Sequence, residues 1–213
     1  MGIDSRLEQY PLGEIEQFYD ESMPYHNFGH ACNVTSRALL LADRCTKYGI
    51  AVREPVVVWS GLFHDAGYHI DPKTRGFPTR EDHSAAIARI FLQGRRIPER
   101  VTDEVFACII STNRDAPFLF VEQKIVRAAD LAGLAGTYEE FKANNFRLKR
   151  EYEMLSGKEI TVKDWIDQTK KIVEFYLSEN IVLTPEHQDA NGRSIFHTRA
   201  QHNLDLLLKE HSR

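Results

Sequence analysis

The sequence predicts an all-α protein folded as a single compact helical domain. Three observations lead there. Apolar residues recur at helical spacing along almost all of the 213 residues. Glycine, proline and helix-capping residues interrupt those stretches at helix-length intervals. The one weak strand candidate is Ile181-Val182-Leu183, and no internal repeat, low-complexity segment or linker divides the chain.

Each element follows from its own pattern. Gly13 to Glu21 is a short amphipathic start. His30 to Tyr48 places Val34, Ala38 and Leu41 on one face and turns Arg37 and Arg44 away, with Gly49 as a stop. Glu54 to Asp65 is apolar nearly all round, as a central helix is. Val56-Val57-Val58 is β-branched, but Pro55 at the start and the length of the apolar stretch favour helix. Gly67 to Pro78, with two prolines and two glycines, is a loop. Thr79 caps the next helix with Asp82 three residues on, and that helix runs through Ala85, Ile87, Ala88 and Phe91 to Gly94. Pro98 opens another helix that reaches Ser111. Phe120 to Leu134 carries Ile125, Ala128, Ala129 and Leu131, and Thr137 to Leu155 is long and charged with Gly157 beyond it. Thr161 or Val162 to Ser178 is amphipathic through Trp165, Ile172, Val173 and Phe175, and a last helix covers Ser194 to His211.

Composition removes several function classes. Lys plus Arg number 27 and Asp plus Glu 31, a formal net charge of −4, so no basic excess draws the chain to a nucleic acid polymer. The longest apolar runs, such as Ala38–Ala42 and Pro55–Trp59, are far below the ~20 residues of a membrane span. The first residues lack the apolar stretch of a secretory leader. Cys32, Cys45 and Cys108 are an odd number without a CxxC motif, as expected of reduced thiols in a cytoplasmic protein. Oligomeric state leaves no mark.

The distinctive count is nine histidines. His26 and His30 are four apart and share a face if the backbone there is helical. His64-Asp65 ends the most apolar helix, Glu81-Asp82-His83 begins the next, and Asp130 stands inside the apolar run Val126 to Leu134. A carboxylate is almost never buried unless it is paired or bound to a metal. Two imidazoles and two carboxylates converging from three helices would give a divalent cation mixed nitrogen and oxygen ligands. Each feature alone is ordinary. The order His, His-Asp, Asp on a helical background is far more specific.

That H…HD…D order resembles the HD superfamily of metal-dependent phosphohydrolases, over residues 25 to 134. Within it, Tyr25-His26-Asn27-Phe28-Gly29-His30-Ala31-Cys32-Asn33-Val34 resembles the Y-H-N-x-x-H-A-x-D-V signature of cyclic-nucleotide phosphodiesterases, with Asn33 in place of its aspartate. The resemblance implies one HD-type domain over 1–213, with the helices of 137–211 packed on the motif core. It implies His30, His64, Asp65 and Asp130 as metal ligands and His26 as the acid that protonates the leaving oxygen. It makes His83 the candidate for the further catalytic or second-metal histidine. Two-metal members, diiron oxygenases included, usually add another histidine before the last aspartate. Here Ile109 to Arg114 holds none. Either the site holds one firm cation, or a second is held mostly by water and substrate.

The expected chemistry is hydrolysis at phosphorus, on a phosphomonoester or phosphodiester of a small metabolite or nucleotide. The cation (Mn, Fe, Mg, Zn, Ni or Co all suit these ligands) activates water and polarises a phosphoryl oxygen. Asp65 orients the nucleophile. His26 donates its proton, and an ordinary imidazole value near ~6.5 suits that role. Lys73, Arg75, Arg80 and Arg114 lie in or near the motif loops, where a solvated surface is the simpler reading. His69 and His187, His197, His202 and His211 are read as surface or helix-end residues. A diiron oxygenase on the same scaffold and a non-catalytic nucleotide-binding module are the competing classes.

Overall fold

The computed structural model describes residues 2–179, 181, 183–185 and 188–211. It is all-helical: among the described residues the β-type pairing is one isolated bridge, Gln188 with Ser194. Ile181 and Leu183 form no strand, and Val182 and His187 lie outside the described residues. Contacts divide the chain into two compact units, one ending at Asp130 and one beginning at Leu131.

The first unit holds α1 (Leu12–Glu16), α2 (Phe28–Lys47), α3 (Glu54–Phe63), α4 (Arg80–Gly94), α5 (Glu99–Ile110) and α6 (Val121–Asp130). Its axis is α3, which packs against α2, α4, α5 and α6. Every residue from Val56 to Phe63 is buried, as an all-round apolar helix requires. Each fully buried large side chain there contributes about 1.5–3 kcal/mol. Leu39, Leu62, Phe63, Leu92 and Ile109 form the heart of this core. Helices α2 and α3 touch where Gly61 faces Thr35: a Cβ on Gly61 would stand 2.6 Å from Thr35 Oγ1 and 3.0 Å from its Cα.

Capping follows the sequence closely. Thr79 Oγ1 accepts the Asp82 N–H at 3.1 Å, which starts α4. Several ends differ from expectation by a turn. The first helix stops at Glu16, and Tyr19 beyond it is buried, its hydroxyl donating to the Leu62 carbonyl at 2.7 Å. Helix α3 ends at Phe63, so His64 and Asp65 belong to the turn that follows. Helix α6 ends at Asp130, and Leu131–Ala135 continues as a 3-10 turn.

The second unit contains α7 (Tyr138–Ser156), α8 (Val162–Ser178) and α9 (Ile195–Glu210) around Phe141, Ile166, Val173, Leu204 and Leu207. Thr137 and Glu140 make a reciprocal capping box, and Gly157 closes α7 at φ +65°. Between α7 and α8 the Trp165 indole N–H donates to Asn145 Oδ1 at 2.9 Å, and Asn145 Nδ2 donates to Thr169 Oγ1 at 2.7 Å. Thr169 in turn donates to the Trp165 carbonyl at 3.0 Å. No described helix is long and apolar enough to cross a membrane.

Candidate metal centre

Local rules set each ligand. Asn27 is the N-cap of α2: its Oδ1 accepts the His30 N–H at 3.0 Å and its Nδ2 donates to the Met23 carbonyl at 3.0 Å. That fixes His30 in the first turn. It also places His26 before the helix, so helical spacing does not align the two histidines. Their rings nevertheless meet edge to face, 5.7 Å between centroids. His64 Nδ1 donates to the Gly61 carbonyl at 2.8 Å, which leaves the Nε2 lone pair directed at the cluster. Gly67 then adopts φ +74°, and a Cβ there would lie 2.8 Å from both His83 Cε1 and Ile87 Cδ1. Asp130, the last residue of α6, completes the set.

The four expected ligands converge. His64 Nε2 is 2.9 Å from Asp65 Oδ2 and 3.5 Å from Asp130 Oδ1. His30 Nε2 is 3.5 Å from Asp65 Oδ2 and 3.3 Å from Asp130 Oδ1. One ligand atom each of His30, His64 and Asp65 falls within a 4.8 Å group. His30 Nε2, His64 Nε2 and Asp65 Oδ2 are buried, and none has a hydrogen-bond partner. Native interiors leave only a few such atoms per hundred residues, and here three stand side by side. Two neutral imidazoles and two carboxylates are a donor set suited to a divalent cation. The residues therefore fit the metal that the motif implies.

Charge in the cluster points the same way. Burial works to strip His64 of its proton, but Asp65 and Asp130 outweigh it and hold the imidazole well above its ordinary value. A divalent cation would take that proton's place. For His30 burial wins and its value falls. Burial pushes Asp65 and Asp130 up, yet the surrounding imidazoles prevail and keep both below the carboxylate range.

The remaining expected residues divide. His26 stacks on Tyr68, with ring centroids 3.7 Å apart and planes 19° apart, and its charge acts on Asp65. His83 is outside the 4.8 Å group. It is buried in the first turn of α4, packed on Phe77 and hydrogen-bonded to the Gly67 backbone. Burial, then Arg75, His69 and Arg80, lower its value. Lys73 and Arg75 are exposed, while Arg80 lies over the Tyr68 ring.

Sequence reasoning missed Arg127. Its side chain is 1% exposed, and it donates to the carbonyls of Ser111 at 2.8 Å, Asn113 at 2.6 Å and Arg114 at 2.8 Å. The segment where a further histidine was sought is thus the C-terminus of α5, closed by a cation that suits its dipole. The available signal was helical spacing: Arg127 stands one turn before Asp130 within the same apolar run. Tyr19 was also missed. Its hydroxyl bonds both the Leu62 carbonyl and the Asp65 backbone, fastening the turn that carries His64 and Asp65.

No protein-family model matches the chain, and no curated protein does. Among solved structures it is similar to the phosphodiesterase domain of the RhoPDE fusion protein from the choanoflagellate Salpingoeca rosetta. The identity is 17% over 97% of this chain and 80% of that one, with a TM-score of 0.63. A second structure of the phosphodiesterase domain of Salpingoeca rosetta rhodopsin phosphodiesterase gives 17% identity, 97% and 78% coverage, and a TM-score of 0.64. The all-α fold of this chain is the fold of those phosphodiesterase domains.

Proposed function

We propose that the protein is a metal-dependent phosphohydrolase that cleaves a phosphomonoester or phosphodiester of a small metabolite or nucleotide. One observation carries the reading. Three buried ligand atoms that make no hydrogen bond converge with Asp130 at ion-pair distance, from elements far apart in the chain. The fold shared with phosphodiesterase domains supports it.

His30, His64, Asp65 and Asp130 would hold the cation. When bound, it would polarise a phosphoryl oxygen and activate water for attack. Asp65 has a second carboxylate oxygen with which to accept a hydrogen bond from the attacking water and orient it. His26 stands beside the cluster without belonging to it. It transfers its proton to the leaving-group oxygen as the ester bond breaks. His83 stands outside the ligand group, its value lowered by burial and by Arg75, an exposed cation that suits an anionic substrate. Three free, buried cysteines agree with a reducing, cytoplasmic setting.

Elemental analysis of the purified protein, joined to a hydrolysis screen over nucleotides and sugar phosphates, tests this. Bound divalent metal and ester hydrolysis are expected together, read as phosphate released from a monoester or as monoester formed from a diester. A protein that takes up no Mn, Mg, Co, Ni, Zn or Fe and cleaves neither kind of ester overturns it. Two irons per chain with oxygen uptake would replace the hydrolase by an oxygenase.

A further inference from the structure

We propose that Tyr68, braced by Arg80, is the positioning residue that holds the His26 ring against the ligand cluster. The kinetic part of this rests on the hydrolase reading above.

His26 precedes the N-cap of α2, so no helix fixes its side chain. Its ring is held in part by aromatic neighbours. Its ring stacks on Tyr68 at 3.7 Å and meets Tyr25 edge to face at 4.8 Å and 83°. The imidazole covers one face of the phenol ring. Arg80 Cζ lies 4.4 Å from the same centroid and therefore covers the other. Arg80 is itself tethered, because its Nη1 donates to the carbonyls of Ile70, at 3.0 Å, and Tyr68. The order is imidazole, phenol, guanidinium.

This stack is not core packing. Tyr68 is only half-buried and lies outside the apolar core. Its placement comes from the turn that makes the metal centre. The Tyr68 N–H donates to the Asp65 carbonyl at 3.0 Å, and the Gly67 N–H to the Phe18 carbonyl at 2.8 Å. The intervening Gly67 takes the left-handed conformation. One turn thus presents Asp65 to the ligand cluster and Tyr68 to His26. The distance between ligand and proton donor is set by backbone geometry, and the phenol ring transmits it. The stack needs a flat ring at 68 and a flat cation at 80. The contact with His26 is made by the ring face, and lysine cannot replace the guanidinium.

The test pairs kinetics with a structural readout on the metal-loaded, full-length protein. With an alkyl phosphate, which has a poor leaving group, Tyr68→Ala should lower kcat by about 10–10²-fold with KM and metal content unchanged, the scale expected of a misplaced catalytic group. With p-nitrophenyl phosphate, whose leaving group needs no acid, the loss should be far smaller. Tyr68→Phe should retain both rates, and Arg80→Lys should fall between. Adding Tyr68→Ala to His26→Ala should cost nothing further. In ring-proton NMR the His26 Hε1 resonance, assigned by its loss in His26→Ala, should lie upfield through the Tyr68 ring current. It should move back in Tyr68→Ala and stay in Tyr68→Phe. Equal slowing of both esters, or an unmoved His26 resonance in Tyr68→Ala, overturns the proposal. A wild-type protein that shows the upfield resonance but hydrolyses neither monoester, nor the diester bis-p-nitrophenyl phosphate, overturns the hydrolase reading instead.

Discussion

The chain buries polar groups in two contrasting ways. In the second unit, Trp165, Asn145 and Thr169 donate and accept among themselves in a closed circuit. In the first unit, His30, His64 and Asp65 crowd together with three buried atoms that make no hydrogen bond and only face one another across 2.9–3.5 Å. Both clusters join residues from different helical elements and both lie in an interior. The difference is that one is complete by itself and the other is not. An unsatisfied buried group costs about 1–3 kcal/mol, more if charged. A chain keeps several together only where an outside group completes them. Polarity in a core is therefore weak grounds for function. Polarity without closure is strong grounds.

Substitutions can break this contrast, and the largest effect is expected at the open cluster. Asp65→Ala should abolish both metal binding and phosphate release while circular dichroism stays helical. Full metal content in that variant would remove Asp65 from the site. Next is His26→Ala. It should keep the metal and lose about 10²–10⁴-fold in turnover of alkyl esters, and much less of p-nitrophenyl esters. The closed cluster should respond in stability alone. Asn145→Ala removes the Oδ1 acceptor of the Trp165 indole, which keeps the Asn145 backbone carbonyl at 3.1 Å, and the amide that donates to Thr169 Oγ1, and should cost about 1 kcal/mol in urea unfolding, with metal content unchanged. Metal loss there would mean that the two clusters are not separate in function.

The smallest effect sharpens the contrast within the first unit. Glu122 is buried there too, but Arg53 completes it, with both its Nε, at 3.1 Å, and its backbone N–H, at 3.0 Å, on Glu122 Oε1. Burial raises that carboxyl, and the hydrogen bonds from Arg53 outweigh it, so the folded value lies below the ordinary one. A depressed carboxyl stabilises the fold above its unfolded value, near ~4.3, and that contribution fades as pH falls through the folded value. Unfolding free energy followed by urea titration from neutral to acid pH should decline less in Glu122→Gln than in wild type. Parallel curves would show that Arg53 does not hold Glu122 in its charged form.

The helices were legible because their signals are local. Periodicity, Thr79, Thr137 and Gly157 act within a turn or two, and the structure places the elements accordingly. Helix ends were less legible where tertiary packing decides them, as at Phe63, where the chain leaves the helix to turn His64 and Asp65 into the cluster. The convergence of these residues was readable because an acidic residue in an apolar run conflicts with its surroundings, as Asp130 does. The relation between His26 and His30 was not. It depends on Asn27 ending the helix between them and on a tyrosine forty-two residues beyond His26. Arg127 escaped notice because a lone cation on a helix is usually solvated, and only the folded chain brings the three carbonyls to it.

The contact between Gly61 and Thr35 sets how near two helices lie. His30 rides on α2 and His64 leaves the end of α3, so the span between the two imidazoles follows the distance between those helices. A hydrogen atom at position 61 lets them approach. On the metal reading proposed above, one methyl group there would push the two imidazoles apart and weaken the hold on a cation between them, although residue 61 has no side chain with which to touch it.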